Sequence, residues 1–167
     1  MTACPDITAC ALEPTDLRRV FAAFPTGVTA VAALVDGIPA GITANSFTSV
    51  SLDPPIVSVS VAHTSTTWPA LRKAARLGIS VLGAHQERHG RALSERRGDR
   101  FDSVRWRATA DGAVMLEGAS AWLDCGIERE IRVGDHDLIL LRVYELDADP
   151  DVPPLVFHGS RFRRLSA

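Results

Sequence analysis

The densest run of small hydrogen-bonding side chains lies between Gly41 and Pro55. There Thr43, Asn45, Ser46, Thr48, Ser49 and Ser51 alternate with Ala44, Phe47 and Val50. Short hydroxyl and amide groups let a flat ligand approach the backbone, and they hydrogen-bond its edge without adding charge. Thr43-Ala44-Asn45-Ser46 is the part best suited to such an edge, although the same residue types also make ordinary strand-end turns. A second group follows at Ser60-Val61 and His63-Thr64-Ser65-Thr66-Thr67, just before Trp68-Pro69. Hydroxyls at a helix start, beside its free N–H groups, form an anion site of the kind a phosphate fills. Ordinary N-capping accounts for one threonine there, not for four consecutive hydroxyl residues.

Other chemistries lack their signatures. No G-x-G-x-x-G follows a predicted strand, and the chain has no Walker A motif, H-E-x-x-H or nucleophile elbow. His85 and His89 stand four apart on a predicted helix, but no third ligand accompanies them, so a solvated face is the better reading. Asp135-His136-Asp137 lacks a placed serine for a hydrolytic triad. The three cysteines are an odd count, which argues against a disulfide framework. Cys125 fits a buried thiol in a strand, and Cys4 and Cys10 fall in a poorly ordered tail at residues 1–13.

The elements that must hold these residues read as mostly strands. Pro14-Thr15-Asp16 opens a helix with Leu17, Val20, Phe21 and Phe24 on one face. Val28–Val35, the turn Asp36-Gly37 and Ile38–Ala44 read as a hairpin. Ile56–Val61 alternates, with Val57, Val59 and Val61 toward a core and Ser58 and Ser60 opposite. A helix from Thr66 to about Arg76, a strand at Leu77–Leu82 and a polar helix at His85–Arg97 follow. Val104–Ala108 and Ala113–Leu116 are short strands, and Ala119–Ile127 has one apolar face. Gly134-Asp135 turns the chain into Leu138–Tyr144, apolar enough to be buried on both sides, and Pro154–His158 is a last strand. About seven strands adjacent in sequence, with three short helices, favour an antiparallel barrel or sandwich.

Composition bounds the rest. A chain of 167 residues, 46% hydrophobic and 23% charged, fits one soluble domain. The net charge of −2 and scattered basic residues point to no nucleic-acid or membrane partner. There is no signal-peptide pattern, so a cytoplasmic location is expected.

With these motifs in view, residues 17 to 165 resemble the flavin reductase family, the short-chain enzymes that reduce FMN or FAD with NADH or NADPH. The resemblance implies a mainly β fold, the FMN-binding split barrel, over residues 14–167. It implies a homodimer with flavin near the subunit interface, and a separate monooxygenase that receives reduced flavin by diffusion. It assigns cofactor binding to Thr43, Ala44, Asn45, Ser46, Ser60, Val61, Ser65 and Thr66. Ser80 stands where relatives usually carry asparagine, and Arg100-Phe101 matches a basic-aromatic pair near the flavin tail. Gly134-Asp135-His136 matches a segment whose histidine lies near the nicotinamide, which gives His136 a positioning role, and Phe162 is placed near the site mouth. No metal is implied. A non-enzymatic flavin- or haem-binding barrel and a pyridoxamine-phosphate-oxidase-like enzyme remain as alternatives.

Overall fold

The computed structural model describes residues 12–95 and 99–165. The expected disordered tail, with Cys4 and Cys10, lies almost wholly outside the described residues, apart from Leu12 and Glu13. In chain order the elements are α1 (Pro14–Phe21), β1 (Thr26–Gly27), β2 (Thr29–Val35), β3 (Ile38–Ala44), β4 (Thr48–Leu52), β5 (Pro55–Ala62) and α2 (Trp68–Leu71). Then come β6 (Leu77–Val81), a single 3-10 turn at Ala84–Gln86, α3 (Glu87–Ser94), β7 (Trp106–Ala108) and β8 (Val114–Leu116). The chain ends with β9 (Ala121–Val133), β10 (His136–Ala148), β11 (Leu155–His158) and β12 (Arg161–Arg164).

Two turns shape the main sheet. Asp36 and Gly37 both take positive φ, 52° and 79°, as a type I′ hairpin requires, and they join β2 to β3. Gly134, at φ 60°, opens the two-residue turn between the long strands β9 and β10. The resulting seven-stranded antiparallel sheet has the order β3-β2-β6-β9-β10-β5-β4 and curls without closing. A three-stranded sheet, β1-β11-β12, and the β7-β8 hairpin flank it.

The sheet separates two apolar cores, and β2 feeds both. Val31 and Ala33 enter the inner core with Val57, Val59, Ile79 and Ile139, plugged by Trp68 and Leu71 of α2. Ala30 and Ala32 enter the outer core with Leu82, Leu93, Val114 and Leu155. Period-two alternation sends neighbours to opposite faces, so a strand buried on both sides is nearly all apolar. β2 is such a strand and β6 is likewise buried over Leu77–Ser80, whereas the Leu138–Tyr144 segment expected from sequence is not. In β10 only Ile139, Leu141 and Val143 are buried; Leu138 and Leu140 are half-buried and Tyr144 is exposed.

Three further expectations are corrected. α1 buries none of its residues, and Val20, Phe21 and Phe24 are 56%, 68% and 74% exposed, because no element among the described residues covers that face. α2 is one turn long rather than running to Arg76. β4 forms inside the hydroxyl-rich stretch read as a loop, because its side chains are nearly all exposed and carry no alternation to reveal it. No helix of the described residues is long and apolar enough to cross a membrane.

Candidate functional site

β3 and β4 are the two edges of the open sheet, and the chain between them crosses the gap. A cleft of about 340 Å³ opens there. Its walls are the end of β3 and the following loop (Ile42–Ser46), the end of β5 (Ser60–Ala62) and the Thr64–Thr67 segment. Leu93 and Ser94 of α3, Arg100 and His136 complete the lining.

Ser46 explains how the gap is held. The β4–β5 ladder pairs Thr48 with Ser58, and the same register would set Ser46 opposite Ser60. The backbone has already left the ladder there, and the hydroxyl takes its place. Ser46 Oγ accepts the Ser60 N–H at 2.8 Å and donates to the Ser60 carbonyl at 3.1 Å. The Asn45 and Ser46 N–H groups make no hydrogen bond among the described residues, and neither does the Asn45 amide. The loop therefore offers a row of free donors to the cleft.

The anion side is built differently from the sequence expectation. Thr67 stands at the N-cap of α2 but its hydroxyl makes no capping hydrogen bond; Ser65 Oγ accepts the Trp68 N–H at 3.2 Å. Thr67 Oγ1 instead accepts a hydrogen bond from Arg100 Nη1 at 2.8 Å, and the same nitrogen donates to the Gly41 carbonyl at 3.0 Å. Arg100 thus ties β3 to the segment before α2. No carboxylate among the described residues pairs with it, so its charge remains available to an anion.

His136 begins β10, opposite Ala62 of β5. Its Nδ1 lies 2.7 Å from Asp135 Oδ1, an exposed carboxylate. The hydrogen bond to His136, reinforced by its charge, holds the Asp135 carboxyl below the usual range. This contact orients the ring and leaves Nε2 free.

The structure gathers Thr43, Ala44, Asn45, Ser46, Ser60, Val61, Ser65, Thr66, Arg100 and His136 around one cleft. The other site residues read from sequence lie elsewhere. Ser80 is fully buried, and its Oγ accepts the Leu116 N–H at 2.9 Å, so it does not line the cleft: β6 is an inner strand here. Phe101 is buried in the outer core, close beneath Gly41, where it backs the wall rather than facing the cleft. Gly134 and Asp135 form the turn behind His136. Phe162 lines a smaller cavity next to the cleft. Sequence reasoning missed Leu93 and Ser94, which reach the cleft because the Thr43 and Ser94 hydroxyls both donate to the Gly90 carbonyl, at 2.8 and 2.7 Å. That contact joins residues 47 apart, and no local pattern announces it. Among the described residues no three potential metal ligands cluster.

The structure is thus a half-open antiparallel barrel with a donor-rich slot at its split, and Arg100 brings a positive charge to the lining. A model of the flavin reductase like domain matches residues 21–166, and the chain belongs to that family. It is 40% identical over 164 residues to an NADH-dependent FAD reductase of Streptomyces globisporus, covering 93% of this chain and 89% of that one. It is 33% identical over 163 residues to a flavin reductase of Pseudomonas putida, covering 97% and 96%. A probable flavin reductase of Rhizobium meliloti (strain 1021) is 41% identical over 138 residues, and the chain spans 44% of that protein's length. The solved structure of a Streptomyces globisporus NADH:FAD oxidoreductase in complex with NAD and FAD fragments matches with a TM-score of 0.85 at 40% identity, covering 93% of this chain and 96% of that one. The split-barrel fold expected from the resemblance is thereby the fold of this chain.

Proposed function

We propose that the protein transfers hydride from NADH or NADPH to FMN or FAD in the cleft at the sheet gap and releases the reduced flavin. It is an oxidoreductase of the NAD(P)H:flavin class. The observation that carries this reading is the lining itself: it contains no carboxylate, thiol or amine, only amide, hydroxyl and aliphatic groups with one arginine and one histidine. Among the described residues no hydroxyl of the lining hydrogen-bonds His136, so the site assembles no base-activated nucleophile and is suited to binding and orienting.

The donor set fits a flavin. The free N–H groups of Asn45 and Ser46 and the Asn45 amide suit the polar edge of an isoalloxazine ring. The hydroxyls of Thr64 and Thr66, with the unpaired charge of Arg100, suit its phosphate. When bound, the flavin supplies the hydride-accepting ring. The chain's own residues fix the geometry. Ser46 pins the loop to β5, Arg100 holds the anion end, and His136 Nε2 is free to hydrogen-bond a carboxamide and set the angle of the donor ring.

The same reading extends to partners. Exposed Val20, Phe21 and Phe24, together with Ile131 and Val133 on β9, suit burial against a second copy in a homodimer. Reduced flavin passes by diffusion to a separate monooxygenase in the cytoplasm. The test is a steady-state assay crossing both nicotinamides with both flavins, followed at the absorbance of the reduced nicotinamide. Flavin should accelerate its oxidation many-fold in at least one combination; no acceleration in any of the four would overturn the proposal.

A further inference from the structure

The segment that brings Thr64 to the cleft is anchored from behind by two residues that do not line it. β5 ends at Ala62, opposite His136, and the chain turns at once, the Ser65 N–H donating to the Ala62 carbonyl at 2.9 Å. The His63 N–H donates to the Asp135 carbonyl at 3.0 Å, which fixes the backbone at the head of the turn. The His63 side chain then reaches diagonally to β10, where its Nε2 lies 3.0 Å from Asp137 Oδ1. A carboxylate accepts, so Nε2 is the donor of this bond. Asp137 follows His136 in β10, so it faces the other side of the sheet from the ring that lines the cleft. The His63 and Asp137 side chains are 30% and 22% exposed, against 43% and 93% for His136 and Asp135, so water competes less for their contact.

We propose that His63 and Asp137 are positioning residues for the flavin phosphate, holding the turn so that the Thr64 and Thr66 hydroxyls stay aimed at it. The inference rests on the hydride-transfer reading above, which puts that phosphate at Thr64, Thr66 and Arg100. The far end of the segment has its own anchors. Arg100 holds Thr67 at 2.8 Å, and Arg72, one residue past α2, pairs with Glu130 of β9 at 2.8 Å. Between those anchors and His63, the Thr64 and Thr66 hydroxyls make no hydrogen bond among the described residues. Their direction is therefore set by the backbone, and His63 sets the backbone at the near end. Without the His63–Asp137 contact, phosphate binding would have to supply the ordering that the contact now provides.

The test titrates flavin fluorescence with FMN and with riboflavin, which has the same ring and ribityl chain but no phosphate. Asp137→Ala should weaken FMN about fivefold, the worth of about one hydrogen bond, and riboflavin less than twofold. His63→Ala should do the same, and the double variant should lose no more than either single one. His63→Gln, whose amide N–H reaches nearly as far as Nε2, should keep FMN within twofold of wild type. Asp137→Asn, which keeps the shape and removes the charge, should show the same selective loss at about threefold, and it carries the test if Asp137→Ala does not fold. Turnover at saturating FMN should stay within twofold throughout, because the contact acts on binding. FMN and riboflavin weakened alike, or FMN affinity unmoved in the variants, would overturn the proposal. So would a wild type that binds FMN no more tightly than riboflavin, since the phosphate would then not meet this segment. If the wild type instead binds no flavin and oxidises no reduced nicotinamide, the hydride-transfer reading itself has failed.

Discussion

Replacing Ser46 by alanine removes both hydrogen bonds that substitute for the missing strand at Ser60. The Ser60 N–H, now accepted at 2.8 Å, loses its partner in a half-buried position beside the cleft. Leaving a buried donor unsatisfied costs about 1–3 kcal/mol, and water entering from the cleft keeps the loss near the lower end, about 1–1.5 kcal/mol. For a domain of this size that lowers Tm by about 3–5 °C. The loop carrying Asn45 is no longer pinned, so flavin binding must supply its ordering, and affinity should fall about fivefold to tenfold. Ser46→Thr keeps the hydroxyl and should recover most of both losses. Differential scanning fluorimetry and flavin fluorescence titration give the two readouts. A Ser46→Ala protein that melts within 1 °C of wild type and binds flavin as tightly would refute the argument that this hydroxyl closes the ladder.

Ser80→Ala should separate stability from binding: losing the acceptor for the Leu116 N–H costs about 1–3 kcal/mol in a thermal melt, while flavin affinity stays within twofold. Gly78→Ala should fail to fold or lose more than about 3 kcal/mol, because a Cβ there would stand 2.1 Å from the Val114 carbonyl oxygen, and backbone cannot step aside. Burial pushes the Cys125 thiol from 9.0 up to about 12. The folded thiol stays protonated where the unfolded one ionises, so its contribution to stability is intact below pH 9 and lost as pH rises toward 12. In a Cys4→Ser, Cys10→Ser background, a disulfide reagent at pH 8 should titrate no thiol in buffer and one in guanidinium.

What the sequence determined was local. The Asp36-Gly37 and Gly134-Asp135 turns were legible because backbone conformation at a two-residue turn depends on the residues in it. The inward face of β5 was legible because a period of two can be read from Val57, Val59 and Val61 alone. The hydroxyl-rich stretch at Thr43–Ser46 was visible as chemistry, and it does line the cleft. Tertiary structure decided what those groups do. It turned the Ser46 hydroxyl onto Ser60 and the Thr43 hydroxyl onto Gly90, buried Ser80, and drew Arg100 to Thr67 across 33 residues. It also buried both faces of β2 and not those of β10, since that depends on which strands end up beneath the outer layer. Strand order and the place where a curled sheet fails to close follow from pairings between distant segments, and a one-dimensional pattern carries the period of each strand but not the identity of its neighbour.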